Sequence, residues 1–246
     1  MKKSAKNITF EDITNHTGIR EYIHAANNNL KVKGYTEHGI RHVTYVAKTA
    51  ANILRELGYS DRECELAAIA GWTHDIGNSV NRKHHGITAA DMMFTLLNEM
   101  GMPPSEIATI IGALGHHEDD IGMPVSPVSA ALLIADKSDS HRSRVRDYAT
   151  QTYSEDIHDR TNLAIKKNKL TVCKDKKRIR QIISMDSGGS VLEYLQIYLQ
   201  RVLLSERAAK FLDCHFELMI NGVIINQRQR ATEPELEKNE KEVSAE

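Results

Sequence analysis

No apolar run in this chain approaches the roughly 20 residues that a bilayer span requires, and the N-terminal MKKSAKNITFEDIT lacks the apolar stretch of a secretion signal. The expectation is a cytoplasmic protein with no membrane partner. Cysteine is scarce. Cys64, Cys173 and Cys214 lie far apart, are odd in number and form no CxxC pair, which excludes a disulfide framework and a cysteine zinc site and leaves buried free thiols. Neither sign of charge is in excess: a formal net charge of -1 gives no electrostatic reason to expect nucleic acid. A P-loop, an HExxH zinc site, a GxSxG nucleophile elbow and internal repeats are all missing, so serine-hydrolase chemistry has no support. What is plentiful is histidine, with twelve residues clustered rather than spread through the 246. A hydrophobic content of 41% can furnish the core of one large domain, or of a main domain with a small appendage.

Residues 11 to 30 carry Ile13, Ile19, Tyr22, Ile23, Ala26 and Leu30 at the spacings of one amphipathic helix. From Glu37 to Leu57 the apolar residues keep the same period, and Gly58 is placed to end that helix. Ser60 with Glu63 reads as a capping box opening a helix toward Trp72, with Gly77 of HDIG as its stop. Further helices are predicted from about Gly86 to Met100, from about Pro103 to His117, and from Ser126-Pro127 toward Arg146. After residue 150 the pattern changes. Leu163 to Ile165 and Leu170 to Cys173 read as short strands flanking a polar KKNK turn, and Ile179 to Ile183 as another. Val191 to Leu212 follows as a helix, and Phe216 to Ile225 as a hairpin turning at Asn221-Gly222. The prediction is a mainly α protein: an N-terminal helical extension (1–33), a helical domain (34–150), a small α+β appendage (151–226) and a disordered tail (227–246). The exposed edge of the hairpin suggests pairing into a homodimer.

Five histidine or aspartate positions recur in the helical part: His42, His74-Asp75, His85, His116-His117 and Asp136. Asp136 follows the apolar run Ala130 to Ala135, where an unpaired carboxylate is costly to bury unless a metal partners it. The pattern H…HD…H…HH…D, carried by RHVTYVA, THDIGN, KHHGITAA, GHHEDD and LLIADKSD over residues 34 to 146, resembles the HD superfamily of metal-dependent phosphohydrolases. That resemblance implies an all-α core with its ligands converging in a cleft. It implies one divalent metal held by His42, His74, Asp75 and Asp136, and a second by Asp75, His85, His116 and His117. Asp75 is the bridge, since a carboxylate has two oxygens and imidazole binds one cation. Imidazole with carboxylate suits Mn, Fe, Co, Ni or Zn. His38 competes with His42 within EHGIRH, and His84 with His85; the H-x-x-x-V-A continuation and the Ala89-Ala90 pair favour His42 and His85. His117 is either a ligand of the second metal or a neighbour of a single-metal site.

The resemblance further implies hydrolysis of a phosphate ester or anhydride of a nucleotide or similar small molecule through a metal-bridging hydroxide, with catalytic roles at Asp75, His85 and Lys137. Cations for the phosphate are sought among Arg41, Arg82, Lys83, Lys137, Arg142, Arg144 and Arg146. Lys137 and Arg144 are favoured as substrate contacts. Asp139, placed three residues beyond Asp136 on the same predicted helix face, joins them, or orients a ligand or pairs with one of these cations. The tyrosine of the cyclic-dinucleotide branch is missing from HHEDDIGMPVSP, which argues against that substrate. Two other readings are a di-iron oxygenase on the same fold and a non-catalytic metal-binding regulatory module.

Overall fold

The computed structural model describes residues 7–147 and 154–227. In place of one helix over residues 11–30 there are two, α1 (Phe10–Asn15) and α2 (Thr17–Val32). His16 separates them: its backbone turns extended (ψ 111°), its N–H closes on the Ile13 carbonyl, and its Nδ1 accepts the N–H of Ile19. A side chain that caps the next helix thus breaks the run, yet Ile13, Ile19, Ile23, Ala26 and Leu30 all stay buried. α3 (Ile40–Leu57) ends on Gly58 at φ 86°, and the reciprocal Ser60–Glu63 capping box opens α4 (Asp61–Thr73). A 3-10 turn (Ile76–Ser79) leads to α5 (His85–Met100), α6 (Pro104–Gly115) and α7 (Pro127–Lys137).

Val128 to Ala135 are buried without interruption, which makes α7 an interior helix rather than an amphipathic one. The predicted continuation toward Arg146 does not form. Ser138 caps α7 on the Ile134 carbonyl at 3.0 Å, and Arg142–Arg144 form a separate 3-10 turn. Asp139 therefore does not share a helix face with Asp136.

The C-terminal part places α8 (Ile157–Ala164) before β1 (Ile165–Cys173), β2 (Arg178–Met185), α9 (Val191–Phe211), β3 (His215–Ile220) and β4 (Val223–Ile224). The sheet order is β1-β2-β3-β4; β2 and β3 are parallel across the α9 crossover, and the other pairs are antiparallel. Two strand expectations are corrected. Leu163 and Ala164 are helical, and KKNK lies inside β1 rather than at a turn. Asn168 explains the second correction: its amide donates to the carbonyls of Ser138 and Ser140, which ties β1 to the end of α7. Asn221 and Gly222, at φ 49° and 85°, make the predicted two-residue turn between β3 and β4. One buried cluster runs from Ile8 to Ile220, joining helices and sheet. Among the described residues no helix is long and apolar enough to cross a membrane. Apart from Gln227, the tail read as disordered lies outside the described residues.

Two glycines set how closely the elements carrying His42, His74, Asp75 and His85 approach. A Cβ on Gly71 would sit 2.7 Å from the Ala47 Cα, so α3 and α4 cross with backbones in contact. One on Gly77 would sit 2.0 Å from the His85 carbonyl oxygen, so the 3-10 turn lies directly on the start of α5. Gly77→Ala is therefore expected to destabilise the fold by about 1–3 kcal/mol or more. Gly112→Ala, where an added Cβ meets nothing within 4 Å, should be neutral or gain up to about 1 kcal/mol of helix propensity. Urea denaturation of the two variants checks this, and equal midpoints would refute the close-approach argument.

Candidate metal centre

Every residue of the cluster sits at or near a helix end. His42 lies in the first turn of α3, His74 caps α4, Asp75 precedes the 3-10 turn, His85 opens α5, His117 follows α6, and Asp136 is next to last in α7. His42, His74, Asp75, His85 and His117 are all buried, and Asp136 is largely so, its side chain 13% exposed.

The two oxygens of Asp75 face different neighbours. Oδ2 lies 3.4 Å from His74 Nε2 and 3.7 Å from His42 Nε2; Oδ1 lies 3.3 Å from His85 Nε2 and 3.9 Å from His117 Nε2. Asp136 Oδ1 joins the first group, 3.5 Å from His42 Nε2 and 3.7 Å from His74 Nε2. Asn78 Nδ2 donates to Asp75 Oδ1 at 2.8 Å and fixes the carboxylate plane.

In all four imidazoles Nδ1 faces an acceptor and Nε2 the cluster. His42 Nδ1 meets Asp139 Oδ2 at 2.7 Å; His74, His85 and His117 meet the carbonyls of Gly71, Arg82 and Leu114 at 2.9, 2.9 and 2.6 Å. With the protons of His74, His85 and His117 on Nδ1, facing carbonyls that only accept, their Nε2 atoms present lone pairs; His42 Nδ1 lies between the Asp139 carboxylate and the Arg144 guanidinium, and its Nε2 faces the cluster. Yet His42 and His74 bring those atoms to 3.3 Å, and His85 and His117 to 3.0 Å. Lone pairs facing each other in a buried site repel unless a cation lies between them. Ligands roughly 2.0–2.2 Å from a transition metal stand about 3 Å or slightly more apart, which is the spacing found. The residues fit one cation in each group.

The electrostatics point the same way. Burial opposes ionisation of Asp75, but His74 and His85 hold its carboxyl well below the usual range. Asp136 is likewise held low against burial, chiefly by Lys137 and His42. Burial, together with His85 and His74, pushes His117 well below its ordinary value and keeps it in the neutral form that ligation needs. His74 moves the other way: against burial, Asp75 and Asp136 raise it, the mark of a negative potential at its Nε2.

The other expected residues separate clearly. His42 enters the cluster, whereas His38 bonds through Nδ1 to the Thr36 carbonyl and through Nε2 to Arg144. His85 enters, whereas His84 is exposed in left-handed conformation at φ 59°. His116 is in neither group: it is half-buried, with Nδ1 on the Gly112 carbonyl at 2.9 Å. His85 and His117 are thus the imidazoles on the Asp75 Oδ1 side, and the ligand atoms of His74, Asp75 and His117 lie within 4.8 Å of one another. Arg144 is not a free cation for substrate. It is buried and bonds to Asp139 at 2.9 Å, while Arg41 holds the same carboxylate at 2.6 Å, so Asp139 and Arg144 position His42. Lys137 is also committed, bridging Asp136 Oδ2 at 2.8 Å and Asp119 Oδ1 at 2.5 Å. Arg142 and Arg146 bond to backbone carbonyls elsewhere, and Lys83 is exposed.

Four participants escaped the sequence reading: Asn78, Glu118, Asp119 and Arg201. Asn78 follows HDIG directly, and Glu118 and Asp119 follow the histidine pair, so proximity was a usable signal. Glu118 Oε1 accepts the Gly86 N–H, and Oε2 lies 3.3 Å from His85 Nδ1. Arg201 comes from α9, far along the chain, with no local signal. Beside the cluster is a cavity of about 20 Å³ bordered by His38, Arg82, Glu118, Asp119, Lys137 and Arg201, room for about one water. A groove of about 890 Å³ lies elsewhere, against α1, α3 and α4, and has no histidine in its walls.

Residues 39–143, which carry this whole cluster, match the family model described as HD domain. Asp75→Ala is expected to abolish stoichiometric binding of Mn or Ni, and His117→Ala to lose the second ion, while His116→Ala retains both. Asp139→Asn should weaken affinity about 10- to 100-fold through loss of His42 orientation. Elemental analysis and metal titration measure all four variants.

Proposed function

Given that the chain belongs to the HD-domain superfamily through residues 39–143, we propose that it is a metal-dependent phosphohydrolase acting on a phosphate ester or anhydride of a small molecule, with a nucleotide as the favoured class. The observation that carries this reading is the split of Asp75: one buried carboxylate offers each oxygen to a separate pair of imidazole Nε2 atoms at 3.3–3.9 Å. His42, His74, Asp75 and Asp136 would hold one ion, and Asp75, His85 and His117 the other. Divalent ions bound there supply a water acidic enough to attack phosphorus near neutral pH and neutralise phosphate oxygens.

The chain's own residues do the rest. Asn78 orients the Asp75 carboxylate, and Lys137 holds Asp136 in its ionised form. Arg82 sits at the cavity wall, Nη1 3.3 Å from His85 Nε2, with its guanidinium 5.4 Å from the Tyr35 ring centroid. Phosphate release from a panel of nucleotides and sugar phosphates, with Mn, Fe, Co and Ni added back separately to stripped protein, tests the proposal. Turnover is expected with at least one metal, and its loss in Asp75→Ala. An iron-loaded protein with a visible absorption band, oxygen uptake and no phosphate release would favour oxygenase chemistry and overturn the proposal.

A further inference from the structure

We infer that Arg201, on α9 outside the HD match, is the principal side-chain contact for a phosphate group in the cleft. This rests on the phosphohydrolase reading and adds to it a residue from the C-terminal layer. Both cations that the sequence favoured for that task are spent, Arg144 on Asp139 and Lys137 on Asp136 and Asp119. Arg201 borders the same cavity as Asp75, Asp136 and Lys137, and its side chain keeps 21% of its surface exposed.

Its guanidinium is held without being used up. Nε bonds to Asp119 Oδ2 at 3.3 Å, and the group lies over the Tyr198 ring, 5.4 Å from the centroid. Tyr198 is itself fixed by Asn162 Nδ2 at 2.7 Å. Among the described residues Nη1 and Nη2 have no hydrogen-bond partner, so the fork that matches two phosphate oxygens is available. Charge balance adds a second reason. Lys137 and Arg201 share Asp119, and among the described residues the other carboxylate paired with Lys137 is Asp136. Once Asp136 is committed to a bound cation, one carboxylate serves two positive groups. The excess positive charge of that trio is what an anion beside Arg201 would balance. Arg82 lines the same cavity, with Glu118, and is a secondary contact.

Calorimetric titration of inorganic phosphate into the metal-loaded full chain, paired with elemental analysis of each variant, tests the assignment. Arg201→Gln is expected to bind phosphate about 10- to 100-fold more weakly with unchanged metal content. Arg201→Lys, which keeps the charge and loses the fork, should fall between, and Arg207→Gln on the exposed side of α9 should match the unaltered chain. Unchanged phosphate affinity in Arg201→Gln overturns the role of Arg201 and leaves the phosphohydrolase reading standing. Absence of phosphate binding by the metal-loaded unaltered protein overturns both. Loss of metal in both Arg201 variants would make the residue a structural strut and also refute the assignment.

Discussion

The structure turns on one buried carboxylate. Asp75 is surrounded by four imidazoles whose Nδ1 atoms all face acceptors, so their Nε2 lone pairs converge on its two oxygens. Such a constellation is electrostatically unfinished: it concentrates negative potential and lone pairs where there is almost no room for water. The cost of assembling it is borne by the surrounding core, and binding of cations would return that cost as affinity.

The rest of the molecule can be understood as the means of bringing helix ends to that point. Gly71 lets α3 and α4 touch, which sets His42 against His74; Gly77 lets the 3-10 turn touch α5, which sets Asp75 against His85. α7, buried on every side, delivers Asp136 at its C-terminal end. The sheet and α9 complete the arrangement from outside the matched region. Asn168 and Gln181 bind the carbonyls that follow α7, and Arg201 reaches Asp119, which holds Lys137 and through it Asp136. The histidine–aspartate cluster and the C-terminal layer are thereby one connected polar network.

Much of this was legible in the sequence because it was local. Caps at Ser60 and Ser126, the Gly58 stop and the Asn221-Gly222 turn are chemistry within a few residues, and each is where the pattern placed it. Type and spacing also singled out residues that the fold brings together, with His116 as the exception: of two adjacent histidines at a helix end, only His117 points into the cluster. What could not be read depended on contacts distant in sequence. Asn168 inside a polar tetrapeptide looked like a turn because its partners, the carbonyls after α7, are invisible to periodicity. Lys137 looked like a substrate cation because nothing local ties it to Asp119; Asp139 was read as a partner for one of the cations, but only the turn after α7 shows that it holds Arg144. Arg201 gave no sign at all, since only the packing of α9 on α7 brings it to the cleft.

The most direct measurement is anomalous diffraction from crystals grown with Mn, collected on both sides of a metal absorption edge. Two peaks per chain are expected, one among His42, His74 and Asp136 and one between His85 and His117, both within bonding distance of Asp75. A single peak away from Asp75, or imidazoles whose Nε2 atoms turn outward with no peak between them, would contradict the account.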